Sequence, residues 1–262
     1  MPEATAPQTT RAEPMLAAEH LVKRYGGLVA TDDLSIGIMP GEIHALIGPN
    51  GAGKTTFVAQ MCGQIQPTSG RILFKGRDIT RLSLPARARL GITRSFQITS
   101  VFREFTALTN VALAVQAHQG HSFRFWRDTR TDKALTDPAR RFLEQVGLGA
   151  RADSTVSQLS HGEQRQLEIA MALAGEPAVL LLDEPMAGMG LEESQRMVGV
   201  LQAIRGTRAI LLIEHDMDAV FALADRITVL VYGRGIATGT PPQIRDNAEV
   251  RSAYLGEEEG AG

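Results

Sequence analysis

Gly48-Pro49-Asn50-Gly51-Ala52-Gly53-Lys54-Thr55 is the stretch on which the fold turns. It fits G-x-x-x-x-G-K-S/T. An apolar segment, Glu42 to Ile47, precedes it, and Phe57, Met61 and Ile65 follow at four-residue spacing, with Val58 and Cys62 beside them, until Pro67. That order predicts a strand, a tight turn and then a helix with one apolar face. Glycines let successive backbone N–H groups curl around one concavity, and the helix start adds its positive dipole end, so phosphate oxygens fit the turn. In that arrangement Lys54 puts a point charge on the β- and γ-phosphates and the Thr55 hydroxyl ligates Mg²⁺. The competing reading is a plain glycine turn.

Further along, Val179-Leu180-Leu181-Leu182-Asp183-Glu184-Pro185 runs apolar and then presents two adjacent carboxylates. Continuous apolar runs, here and at Ala209 to Ile213, predict parallel strands buried on both faces. Ligands of open α/β sheets bind at the carboxyl ends of such strands. Asp183 could hold Mg²⁺ there through water, and Glu184 could polarise a water in line with a γ-phosphate. Two acids that merely end a strand in solvent are the alternative. Arg71 to Phe74 with Gly76 predicts another strand, Ile227 to Tyr232 with Gly233-Arg234-Gly235 and Ile236 a hairpin, and residues 98–158 a mostly helical section broken at Gly120 and Asp137-Pro138.

Composition sets the outer bounds. The 262 residues allow one or two domains. Lys+Arg at 27 against Asp+Glu at 29 leave a charge of -2, so the overall field gives no reason to expect nucleic acid as a partner. With 44% hydrophobic and 21% charged residues the chain is an ordinary globular one. Cys62 alone excludes an internal disulfide, and a start without a basic-then-apolar leader predicts a protein retained in the cytoplasm. Uninterrupted apolar stretches such as Ile169 to Ala174 are far shorter than the roughly 20 residues that span a bilayer, so a membrane role calls for a partner chain. Residues 1–14, rich in proline and poor in large apolar side chains, predict a loose tail.

Leu159-Ser160-His161-Gly162-Glu163-Gln164, lying between the glycine turn and the acidic strand end, completes a resemblance. With His215 after the 209–213 run, these motifs resemble, in order and spacing over about residues 15–255, the ATP-binding subunit of ABC transporters. The resemblance implies an α/β fold: a P-loop NTPase core with a mostly parallel sheet, an N-terminal antiparallel β subdomain and an α-helical subdomain over about 98–165, flanked by tails at 1–14 and 256–262. It implies ATP and Mg²⁺ as ligands, ATP hydrolysis as the activity, and a nucleotide contacted by Gly48, Pro49, Asn50, Gly51, Ala52, Gly53, Lys54, Thr55 and Thr56. Tyr25, before Gly26-Gly27, resembles the aromatic that stacks on adenine, with core packing as its competitor. Glu184, His215 and Gln97 take the catalytic positions, and Thr55, Gln97 and Asp183 those around the metal.

The signature run Ser160, His161, Gly162, Glu163 resembles LSGGQ, whose serine and glycine meet the γ-phosphate of ATP held by a second copy, departing from it at His161 and Glu163. The same serine also fits a simple helix N-cap. Where relatives cross the dimer with an S-A-L-D-like turn, this chain has Ala187-Gly188-Met189-Gly190, without the usual polar group at Gly190.

Thr93-Arg94-Ser95-Phe96-Gln97, Asp183-Glu184-Pro185-Met186-Ala187-Gly188, Ile213-Glu214-His215-Asp216-Met217 and Ala253-Tyr254-Leu255-Gly256-Glu257 resemble the branched-chain amino-acid uptake branch. Implied partners are a second ATP-binding subunit, an integral membrane permease and, indirectly, a periplasmic substrate-binding protein, at the cytoplasmic face of the inner membrane. A lipopolysaccharide-export ATPase and a soluble non-transport ABC ATPase are the alternatives. The mixed basic and aromatic residues of 121–141, among them Arg124, Trp126 and Arg127, read as a solvated insert or as a membrane-facing surface.

Overall fold

Strands buried on both faces organise the chain, which is described by a computed structural model over residues 13–94, 101–119 and 132–255. The N-terminal part is antiparallel. β1 (Leu16–Tyr25) and β2 (Leu28–Ile38) form a hairpin, while β4 (Ser69–Phe74) pairs with the other edge of β1 and with β5 (Arg77–Asp78). The second sheet runs β10 (Arg234–Gly239), β9 (Arg226–Val231), β3 (Ile43–Ile47), β8 (Ala209–Ile213), β7 (Val179–Asp183), β6 (Ile92–Arg94). All its neighbours are parallel except the β9–β10 hairpin, whose turn is Tyr232-Gly233 with φ 47° and 80°.

The unbroken apolar runs in β3, β7 and β8 follow from what covers each face. Leu181, Leu211 and Leu46 face a core shared with Leu16, Leu21 and Ile72 of the antiparallel sheet and with Phe57, Val58 and Met61 of α1 (Lys54–Met61). Leu180, Leu182, Ile210 and Leu212 face the helices on the other side. These are α3 (Ala107–His118), α4 (Lys133–Gln145), α5 (His161–Leu173) and α6 (Leu191–Ile204), with short 3₁₀ turns at Gly149–Arg151 and Val156–Gln158. The short α2 (Leu84–Arg89) lies before β6, and α7 (Met217–Leu223), α8 (Pro241–Arg245) and α9 (Ala248–Leu255) complete the chain, with Val220, Ile244 and Val250 closing a third core over β3 and β9.

Three local expectations give way. The helix after the glycine turn ends at Met61 because Gly63 adopts φ +83°, leaving Ile65 beyond it. Asp137-Pro138 lies inside α4, where burial of Leu135, Ala139 and Leu143 on one face outweighs the hydrogen bond that Pro138 cannot donate. In the section expected to be helical over about 98–165, the first described helix is α3 from Ala107, and α5 continues to Leu173, past 165. The stretch from Ser95 to Ser100, the segment from Gly120 to Thr131 and the two tails, apart from Glu13 and Pro14, lie outside the described residues.

Candidate functional site

Parallel pairing brings the predicted residues to one edge. Leu46 of β3 lies level with Ile213 of β8, and Ile213 level with Asp183 of β7. The glycine loop, His215 and the Asp183-Glu184 pair therefore leave three adjacent strands on the same side of the sheet. β6, beside β7, ends there with Arg94, and Gln97, three residues on, lies outside the described residues.

The loop is held from behind by backbone. Gly48 has φ +150° and Gly53 φ +102°; a Cβ on Gly48 would lie 2.0 Å from the Leu230 carbonyl oxygen, and one on Gly53 2.1 Å from that of Ala30. Any side chain at either position would push the loop off these strands. Pro49 accepts from the Ala52 N–H at 3.2 Å, and buried Ala52 accepts from the Gly233 N–H at 2.9 Å. Gly53 caps α1 without a side-chain acceptor, so no capping side chain covers the positive end of the helix. Lys54 Nζ donates to the Gly48 and Pro49 carbonyls, so its charge rests inside the curl. Asn50, Gly51 and Thr55 are exposed and Thr56 half-buried. Tyr25 is 46% exposed at the β1–β2 turn, with Lys23 Nζ 5.0 Å from its ring centroid, so the core-packing alternative is not the one realised.

Asp183 is the buried acid of the pair. Its Oδ2 accepts from Arg94 Nη2 at 2.8 Å, while its Oδ1 is buried without a hydrogen-bond partner. Burial raises its pKa, and the Arg94 charge opposes that rise. An orphaned carboxylate oxygen at the strand end, together with the exposed Thr55 hydroxyl, suits a hard cation such as Mg²⁺, which takes oxygen ligands and retains waters. Glu184 is half-buried and held at φ +50°, with its N–H donating to Ile213 O at 2.9 Å and its carbonyl accepting from Ala187 N–H at 3.2 Å. Non-glycine residues in left-handed conformation concentrate where a side chain must be aimed.

Glu214, which no motif singles out, has a structural role. Fully buried, it accepts from the Met186 N–H at 2.8 Å and the His215 N–H at 3.2 Å, tying the turn after Glu184 to the residue at the end of β8. Burial raises its pKa. The signal was available: a carboxylate directly after a wholly apolar strand. The His215 side chain is exposed, with Nδ1 3.7 Å from Glu214 Oε2.

The signature run forms the start of α5. Ser160 is the N-cap: its Oγ accepts from the Glu163 N–H at 3.2 Å, and Glu163 Oε2 accepts from the Ser160 N–H at 2.8 Å. The other carboxylate oxygen of Glu163 lies 3.2 Å from Arg151 Nε. His161 lies against Gly188 of the turn after Pro185. One carboxylate oxygen of Glu193, on α6, accepts from Ser160 Oγ at 2.9 Å and from the Gly162 N–H at 3.3 Å. The hydroxyl bond, foremost, lowers the pKa of Glu193. An internal anion thus sits on the two groups assigned by resemblance to a phosphate, a contact that no local pattern reveals.

Residues 31–187 match the family described as ABC transporter, and residues 236–260 match the branched-chain amino acid ATP-binding cassette transporter family. The chain belongs to the ABC transporter family. It is 39% identical over 260 residues to the high-affinity branched-chain amino acid transport ATP-binding protein LivG of Escherichia coli, covering 94% of this chain and 99% of that one. It is 36% identical over 247 residues to the lipopolysaccharide export system ATP-binding protein LptB of Acidithiobacillus ferridurans, covering 93% and 98%. Among solved structures, the ADP conformation of MJ1267, an ATP-binding cassette of an ABC transporter, superposes with TM-score 0.81 at 28% identity over 92% of this chain and 98% of that one. The α/β P-loop architecture, nucleotide binding and ATPase class read from the motifs are those of this family. Among the described residues of this cassette no helix is long and apolar enough to cross a membrane.

Proposed function

We propose that the protein is the ATP-hydrolysing subunit of an ABC importer for branched-chain amino acids or related small amides and acids, acting at the cytoplasmic face of the inner membrane. The reading is carried by the gathering of the 48–56 loop, Asp183, Glu184 and His215 at one sheet edge. Lys54 and the N–H groups of the loop and of the α1 start cradle the phosphates, and Tyr25 receives the adenine. Thr55 and Asp183, with Gln97, would hold Mg²⁺, which when bound supplies charge neutralisation on the β- and γ-phosphates. Glu184, aimed by its left-handed backbone, takes a proton from the attacking water as general base, and His215 steadies the γ-phosphate and that water.

Ser160 and Gly162 would serve the site of a second copy, so two chains close head to tail around two ATP molecules. Hydrolysis removes the bridging phosphate and lets them part. A permease docked near Gln97 would convert that motion into transport, with a periplasmic binding protein selecting the cargo. The LivG likeness over nearly the full chain and the match at 236–260 favour amino-acid uptake. The likeness to LptB keeps lipopolysaccharide export as the second reading.

Purification of the full chain with its membrane companions, followed by reconstitution, separates the two. ATP-driven uptake of labelled leucine or a short amide supports the proposal. ATP hydrolysis stimulated only by lipopolysaccharide would overturn the importer assignment while leaving the ATPase intact.

A further inference from the structure

Four parallel strands end at the site, and the end of β6 has no assigned role beyond leading towards Gln97. Its last residue, Arg94, pairs in register with Leu181, so its side chain reaches the next strand at Asp183, two residues on. Nη2 donates to Asp183 Oδ2 and Nη1 to Gln64 Oε1, both at 2.8 Å, and the Arg94 and Asp183 side chains are only 11% and 1% exposed. The guanidinium thus bridges β7 to the turn that follows α1, the helix that carries Lys54 and Thr55. Its fork can make two bonds in fixed directions, which an ammonium cannot.

A carboxylate held by one oxygen loses the freedom to rotate, and what it offers is then decided. Here the pinned oxygen is Oδ2, and Oδ1 is buried with no partner. We propose that Arg94 is a positioning residue for the magnesium of the ATPase reaction, fixing Asp183 through Oδ2 so that Oδ1 is presented to the ion's hydration shell. This deepens the function proposed above and rests on it. Two effects of Arg94 oppose each other: its positive charge repels a second cation, while its hydrogen bond orients the ligand. Outer-shell partners of metal ligands typically account for 10–100-fold in metal affinity, and we take orientation to outweigh repulsion at this bridged site.

The test compares full-length wild type with Arg94→Gln, measuring ATP affinity by calorimetry in EDTA and with Mn²⁺, and Mn²⁺ affinity of the ATP-bound protein by its electron paramagnetic resonance signal. The proposal expects the Mn²⁺ concentration for half-occupancy to rise about 10–100-fold. The gap between metal-free and metal-loaded ATP affinity should narrow accordingly, with partial recovery in Arg94→Lys. Unchanged or tighter Mn²⁺ binding would overturn it, as would an equal loss of ATP affinity with and without metal, the mark of a merely structural ion pair. If Arg94→Gln fails to fold, Gln64→Leu frees only the far arm of the bridge and should weaken Mn²⁺ in the same direction by a smaller factor; no change there would refute the role. Wild type that binds no ATP at all would instead sink the underlying function, and this assignment with it.

Discussion

Replacing Glu184 by glycine should make the protein more stable and inactive at once. The residue stands at φ +50°, where an L side chain costs about 1–2 kcal/mol relative to the right-handed conformation. Glycine avoids that cost but gains freedom in the unfolded chain worth about 0.5–1 kcal/mol, which leaves a net stabilisation of about 0–1.5 kcal/mol, centred at about 0.75. For a chain of this length the centre of that range is about 1.5–3 °C in Tm. The charge must be controlled for, because the Glu184 carboxylate repels both Asp183 and Glu214 and its removal relieves both. Glu184→Gln removes the charge and keeps the Cβ, so the stability difference between the Gly and Gln variants isolates the backbone. Both should lose at least about 100-fold in ATP turnover, as expected for a missing general base. Differential scanning calorimetry and steady-state phosphate release read the two halves separately. A Gly variant no more stable than the Gln variant would refute the strain argument, and turnover within tenfold of wild type in either would remove Glu184 from its role.

Arg87 donates to the carbonyls of Gln60, Met61, Thr80 and Leu82 from a fully buried position, and of these Gln60 also accepts from the Gly63 N–H at 3.1 Å, so Arg87→Met withdraws four bonds and should lower stability by about 3–5 kcal/mol in urea unfolding. Glu214 has its pKa raised by burial above the usual 4.5, so its protonated form is favoured in the folded state and its contribution to stability fades as pH rises through the folded value. Glu214→Gln, still an acceptor for Met186, should therefore gain on wild type as pH climbs from 4.5 towards 8; a stability difference independent of pH would contradict this. Glu193→Ala vacates Ser160 Oγ and the Gly162 N–H, so ATP-driven dimers should form at lower ATP concentration, read by light scattering, and an unchanged or higher requirement would count against competition at that site.

What could be read in the sequence is what depends on neighbours along the chain. The glycine loop, the β3, β7 and β8 runs and the Ser160 cap each declare themselves within a dozen residues, because backbone curl, two-sided burial and capping are local requirements. Pro138 misled because its local preference for a break is weaker than the packing of Leu135, Ala139 and Leu143. Arg87 lies in the charged run Leu84-Pro85-Ala86-Arg87-Ala88-Arg89, where only the fold reveals that one arginine is wholly buried and the other exposed. Arg94 and Asp183 are 89 residues apart, Ser160 and Glu193 33, and pairings at such distance leave no periodicity to find. The buried bridge at Arg94 and the anion on the signature run therefore come from topology alone.

The most direct measurement is the mass of the purified Glu184→Gln protein by light scattering with saturating Mg-ATP, in which hydrolysis is blocked and the γ-phosphate stays in place. A shared site made from the 48–56 loop of one copy and Ser160 and Gly162 of the other predicts a dimer that reverts to monomer with ADP. A protein that binds ATP yet remains monomeric, with its membrane companion present as well, would contradict the account.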